Sequence, residues 1–207
     1  MGLKPTLESL NLLRTISKTV DTWHHYHHIL LDIANQNYSK DEQITYCEIG
    51  CYAGASSCLM LQRPKTRVIS IDPCTVVPPL AVKNNISRYT KHGNEWYCIL
   101  EDSHTIEAKK YLSAITNKVD ILFIDGGHEY RDVIKDFLIY ERFVPKGGWI
   151  IFDDYRNYEF KGVLLAVEDI RKHFPNYEYI GLIENSLRAR GDSHPMGACF
   201  VTRKTNG

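Results

Sequence analysis

From Ile44 onward the chain alternates short apolar runs with amphipathic segments, and this alternation narrows its fold more than any other feature. Ile44–Ile49, Arg67–Ile71, Trp96–Leu100, Val119–Ile124 and Trp149–Phe152 are rich in β-branched residues and read as apolar along their length, as strands covered on both faces must be. Helical stretches lie between them. Tyr130, Val133, Ile134, Phe137, Leu138 and Glu141 mark one apolar face, and Val163, Ala166, Val167, Ile170 and Phe174 mark another. Strands alternating with helices at this spacing specify right-handed β-α-β units, hence a mostly parallel α/β sheet with helices on both faces. Tyr177–Ile183 and Gly197–Thr202 break the rhythm: only the polar loop Glu184 to Pro195 joins them, so they are expected to pair antiparallel at one edge.

Two helices are expected before Asp41. Leu3, Leu7 and Leu10 share one face, and Trp23, Tyr26, His27, Leu30 and Ala34 follow helical spacing after Asp21 as N-cap. No repeat or linker interrupts the chain, which predicts a single domain over residues 1–207, with a helical cap at 1–40 and a core at 41–207. A chain this long buries roughly 70% of its unfolded surface, enough for such a core. Lys plus Arg (25) balances Asp plus Glu (25), so the basic footprint that nucleic acid or an anionic membrane requires is missing. No apolar run approaches the roughly 18 residues of a membrane span. Met1 to Leu10 lacks the basic and apolar regions of a signal peptide, and a cytoplasmic protein is expected. The six cysteines include no Cys-x-x-Cys pair and are expected as reduced core thiols.

The first strand runs into Glu48-Ile49-Gly50-Cys51-Tyr52-Ala53-Gly54-Ala55-Ser56. A glycine turn between a strand and its helix lets a ligand reach the backbone and leaves N–H groups free for an anionic group. Tyr52 stands where G-x-G-x-x-G places its second glycine, so close pyrophosphate approach is not provided. Asp72, at the end of the second strand, is placed to accept both hydroxyls of a ribose. Together these favour an adenosyl ligand without a pyrophosphate and argue against a nicotinamide-dependent dehydrogenase.

The run Glu48 to Ser56 with Asp72 resembles the first binding motifs of class I S-adenosylmethionine-dependent methyltransferases. Ile121-Leu122-Phe123-Ile124-Asp125-Gly126-Gly127-His128-Glu129-Tyr130, with Pro145 through Gly147-Gly148-Trp149-Ile150-Ile151-Phe152-Asp153-Asp154-Tyr155, resembles the branch called methyltransferase family 24, which is similar to macrolide-sugar, aminocoumarin-sugar and rhamnosyl O-methyltransferases and more distantly to catechol O-methyltransferase. The resemblance covers residues 44 to 202. It implies a Rossmann-like methyltransferase fold with a seven-stranded sheet in the order 3-2-1-4-5-7-6. It also implies that Gly50, Tyr52 and Gly54 line the methionine part of the cofactor, that Ser56 holds its carboxylate and that Glu48 stands near its amine. Asp72 would then hold the ribose, while Asp102 and Ser103 flank the adenine, and Asp125 borders the cofactor. For Asp102 and Ser103 a plain helix N-cap suits the composition equally well.

Asp125, Asp153 and Asp154 sit at the ends of the fourth and fifth strands, which neighbour each other in this order. Three converging carboxylates repel unless a hard cation lies among them or one stays protonated, so they are the expected metal ligands. In the sugar and catechol branches the equivalent positions carry a divalent ion, and Mg²⁺ or Mn²⁺ is implied here. His128 follows three residues after Asp125, and imidazole suits a base that takes a proton from an acceptor near neutral pH. The related sugar enzymes use an Asp and the catechol enzyme a Lys in this loop, so the resemblance transfers a location and not a residue type. His128 and Asp125 are the expected catalytic residues.

The His24-His25-Tyr26-His27-His28 run is read as partly exposed surface, because histidines on a helix without a carboxylate partner rarely bind metal. Trp23 and Tyr26 are read as packing residues. Tyr155, Arg156, Tyr158, Arg188, Arg190 and His194 could touch an acceptor or simply form solvated loops. The expected activity is methyl transfer from S-adenosylmethionine to a hydroxyl of a sugar or glycan. The alternatives are a catechol-type or other small-molecule phenol O-methyltransferase and a cofactor-binding subunit without activity. The expected partner is the small-molecule or glycan acceptor, with a homodimer allowed for.

Overall fold

The computed structural model describes residues 6–22, 25–91, 93–157, 159–183 and 198–205. Two helices, α1 (Leu7–Ile16) and α2 (His28–Asn37), precede an alternating core. It runs β1 (Ile44–Ile49), α3 (Ala55–Met60), β2 (Thr66–Ile71), α4 (Pro79–Tyr89), β3 (Glu95–Ile99), α5 (Ile106–Ile115), β4 (Ile121–Ile124), α6 (Tyr130–Tyr140), β5 (Trp149–Tyr155), α7 (Lys161–His173), β6 (Tyr177–Ile183) and β7 (Ala198–Lys204). The strands form one sheet in the order β3-β2-β1-β4-β5-β7-β6, as expected. β1 to β5 pair in parallel, while β7 pairs antiparallel with both β5 and β6.

The period-two alternation of the strands divides the core into two layers. Tyr46, Val68, Phe123 and Ile151 face the layer built with α1 to α4, whereas Ile49, Ile69, Leu122 and Phe152 face the layer built with α5, α6 and α7. Each fully buried aliphatic or aromatic side chain contributes about 1.5–3 kcal/mol of transfer free energy. The sequence expectation of fully covered strands fails at β3, where Glu95 and Tyr97 are exposed. β3 is an edge strand and needs only one apolar face.

The N-terminal expectations also shift. Leu7 is 76% exposed, and α1 buries Ser9, Leu10, Leu13 and Ile16. Leu3 and Trp23 lie outside the described residues. Asp21 does not cap α2: its carboxylate accepts from the Tyr52 hydroxyl at 2.8 Å, and α2 begins at His28 after a 3₁₀ turn at His25–His27. All six cysteines are free, and only Cys98 is not buried. Among the described residues no helix is long and apolar enough to cross a membrane.

Candidate active site

The chain winds outward from β1 in both directions, to β2 and β3 on one side and to β4 and β5 on the other. Such a reversal opens a crevice beyond the C-terminal ends of the strands. A cavity of about 490 Å³ lies there, lined by Gly50, Tyr52, Asp72, Asp102, Ser103 and Asp125 among others, and also by Gly126, Gly127 and His128. That volume suits a cofactor-sized ligand. Glu48, Gly54, Ser56, Asp153 and Asp154 do not line it.

Gly50 holds φ +84°, and a Cβ there would lie 2.0 Å from the Asp125 carbonyl oxygen, so no other residue lets β1 leave the sheet beside β4. Tyr52, Cys74 and Asp154 also adopt left-handed backbone conformations (φ 47°, 53° and 52°). Non-glycine residues held this way are costly and gather at functional sites. The Asp72 carboxylate fastens two of these turns, accepting from the backbone N–H of Cys51 (2.7 Å), Tyr52 (3.1 Å) and Cys74 (2.6 Å).

Glu48 is fully buried, and its carboxylate accepts from the hydroxyls of Tyr46 (2.9 Å), Ser56 (2.6 Å), Ser57 (2.5 Å) and Ser70 (2.8 Å). Burial pushes its carboxyl up while the four hydroxyls pull it back, so they supply the donors a buried charge needs. Glu48 and Ser56, read from the sequence as cofactor contacts, are thus engaged with each other beneath the turn. Also in the cavity lining, the Asp102 carboxylate accepts from the His104 N–H (2.8 Å), and the N-cap of α5 is Thr105. Ser103 Oγ donates to buried Asp136 at 2.6 Å, and His104 Nε2 lies 3.2 Å from the same carboxylate oxygen. Burial raises the Asp136 carboxyl to about 6, against the pull of Ser103 and His104.

The structure divides the acidic triad. Asp125 stands between two groups whose ligand atoms all lie within 4.8 Å of one another: His27 with Asp125 and Asp153, and His128 with Asp125 and Asp154. The β5–β7 register shifts between Phe152 and Tyr155, which brings two consecutive carboxylates to this region. Burial pushes the Asp125 carboxyl well above the usual carboxylate range, and Asp153 and Asp154 add to the push. Carboxyls this close keep a proton between them unless a cation replaces it, so the donor set fits a divalent ion.

His128 Nε2 lies 3.1 Å from Asp154 Oδ2, and its ring stacks on Phe160 with centroids 3.8 Å apart and planes 18° from parallel. Asn157 donates to the other Asp154 oxygen at 3.0 Å. Gly162 lets α7 press on this loop, since a Cβ there would come within 2.4 Å of the His128 carbonyl.

One residue of this centre escaped the sequence reading. His27 is 5% exposed, with Nε2 2.8 Å from Asp153 Oδ2, and His28 is buried as well. The carboxylate partner sought along the helix lies on β5 instead; the five-residue His/Tyr cluster was the only sequence signal. Tyr26 packs in the core as expected, and buried Tyr155 donates its hydroxyl to Glu168. Tyr158, Arg188, Arg190 and His194 lie outside the described residues.

Comparison with known proteins gives three findings. The profile of a family described as a methyltransferase domain matches residues 47–155. The uncharacterized protein R132 of Acanthamoeba polyphaga mimivirus is 38% identical over 175 residues, covering 80% of this chain and 78% of its own. Among solved structures, the O-methyltransferase from Bacillus cereus in complex with SAH superposes with a TM-score of 0.58 at 14% identity, covering 96% of this chain and 100% of that one. CalS11, a TDP-rhamnose 3'-O-methyltransferase of calicheamicin biosynthesis, gives 0.54 at 14% identity over 93% and 92% of the two chains.

Proposed function

The chain belongs to the S-adenosylmethionine-dependent methyltransferases, and on that premise we propose that it methylates a hydroxyl oxygen, most simply on a sugar or glycan, with the help of a divalent ion. The observation that carries this reading is the Asp154–His128 pair beside the cavity that Gly50 and Asp72 shape. The O-methyltransferases of the same fold support it, and the rhamnose acceptor named for CalS11 supports the sugar class.

In this reading Asp72 holds the ribose hydroxyls, the Gly50–Tyr52 turn lines the methionine part, and Asp102 and Ser103 border the adenine. Asp154 keeps a hydrogen on His128 Nε2, so Nδ1 is the nitrogen that can accept a proton. The acceptor oxygen attacks the sulfonium methyl in line: an O–C bond forms, the S–C bond breaks with its electron pair on sulfur, and the hydroxyl proton passes to His128 Nδ1. Holding both reactants in that line supplies most of the acceleration. Asp125 and Asp153 would hold the divalent ion, which when bound lowers the pKa of an acceptor hydroxyl. Asp154 acts as a positioning residue for His128.

The test is product analysis with methyl-labelled S-adenosylmethionine against nucleotide sugars, free glycans and catechols. Label on a sugar hydroxyl is the expected result. Label on catechol alone would move the acceptor to the phenol class, and label on nitrogen or carbon would overturn oxygen transfer.

A further inference from the structure

We propose that His27 is a nitrogen ligand of the divalent ion held with Asp125 and Asp153, which makes this centre selective for first-row transition ions over Mg²⁺. The inference deepens the metal-assisted reading above and rests on it.

His27 comes from the segment that joins the N-terminal helices, 126 residues before its partner Asp153. Its ring makes edge contacts with Phe123 (centroids 5.1 Å apart, 81°) and Tyr26 (5.4 Å, 80°). A buried ring held by such contacts loses little freedom on binding an ion. Nε2 stands 2.8 Å from Asp153 Oδ2, while Cys199 Sγ approaches the other Asp153 oxygen at 3.5 Å. Two cis ligands at roughly 2.1 Å from an octahedral ion lie about 3 Å apart, so Nε2 and Oδ2 can exchange their hydrogen bond for a shared ion with little movement. Asp125 completes three donors from three separate parts of the chain.

The donor chemistry then decides the metal. Mg²⁺ favours oxygen ligands and keeps its waters, whereas imidazole raises affinity for first-row ions in the Irving–Williams order. A site of all carboxylates would lack that preference.

The experiment uses the full chain, stripped with chelator and reloaded with Mn²⁺ or Mg²⁺, with affinities from calorimetry and directly bound ¹⁴N read by pulsed EPR of the Mn²⁺ form. The expected result is Mn²⁺ binding at least about tenfold tighter than Mg²⁺, with a ¹⁴N coupling in the spectrum. His27→Gln, which keeps a donor to Asp153, should remove the coupling and the preference while Mg²⁺ binding changes little. His128→Gln should keep both. A wild-type spectrum without ¹⁴N coupling, equal affinity for the two ions, or a coupling that survives His27→Gln each overturns the proposal, and the first two need no variant to fold. SAH binding is measured on the same samples. If SAH fails to bind while the nitrogen signature holds, the methyltransfer reading fails and the metal assignment stands.

Discussion

The Asp72 carboxylate accepts from the backbone N–H of Cys51 at 2.7 Å and thereby ties the end of β2 to the glycine turn after β1. The residue read as the ribose ligand therefore also shapes the wall on which the methionine part would lie. Asp72→Ala should weaken SAH binding by at least about tenfold, since hydrogen bonds to a charged group contribute roughly 1.5–3 kcal/mol each. Calorimetry on a variant with native circular dichroism checks this. An unchanged affinity would move the cofactor elsewhere.

His128 and Asp154 should behave as one unit in catalysis. His128→Ala is expected to lower kcat by roughly 10² to 10⁴, and Asp154→Asn to lower it as well by releasing the ring, both with SAH affinity little changed. Steady-state kinetics beside SAH titration separates the two effects. A near-normal rate in His128→Ala makes the residue structural.

Glu48 should prove a stabilising residue. Glu48→Gln presents an amide to four hydroxyls arranged around a carboxylate and should cost about 1–3 kcal/mol of stability, with SAH affinity almost intact. Denaturant melts and SAH binding are measured together; a variant of native stability with weakened SAH binding would return Glu48 to the cofactor's amine.

Asp136 predicts a pH effect of definite sign. Its folded carboxyl is raised to about 6, above an unfolded value near 4. Ionising it therefore opposes folding: its contribution is most favourable below about pH 4 and is lost as pH rises through about 6. Asp136→Asn should be more stable than the parent at pH 8, by of the order of 1–3 kcal/mol, and should lose that advantage by pH 4. Urea melts across this range test it, and a constant difference would refute the buried ionisation.

Chelation should uncouple the two halves of the site. Excess EDTA should abolish methyl transfer and leave SAH binding within a factor of about two, with Mn²⁺ restoring turnover. Full activity in EDTA, with no metal retained by elemental analysis, leaves His128 as the main catalytic group.

Much of this was legible along the chain, for a local reason. The apolar runs at Ile44–Ile49 and Ile121–Ile124, and the periodic faces of α6 and α7, record which sides of each element are covered, and that is enough to specify the layers of an α/β sheet. Gly50 and Asp72 were visible because a strand end and the turn after it are neighbours in sequence. Leu7 and Tyr97 were misjudged because hydrophobicity does not say whether a neighbour exists to cover a face: α1 packs through Leu10, Leu13 and Ile16, and β3 is an edge. The division of the acidic triad depended on folding altogether. Asp153 and Asp154 are adjacent in sequence, yet the left-handed backbone at Asp154 and the β5–β7 register shift let one pair with His27 and the other with His128. Helical spacing compares residues three and four apart, whereas the carboxylate that gives His27 its partner is 126 residues away and reaches it only when the N-terminal segment packs over the end of β5.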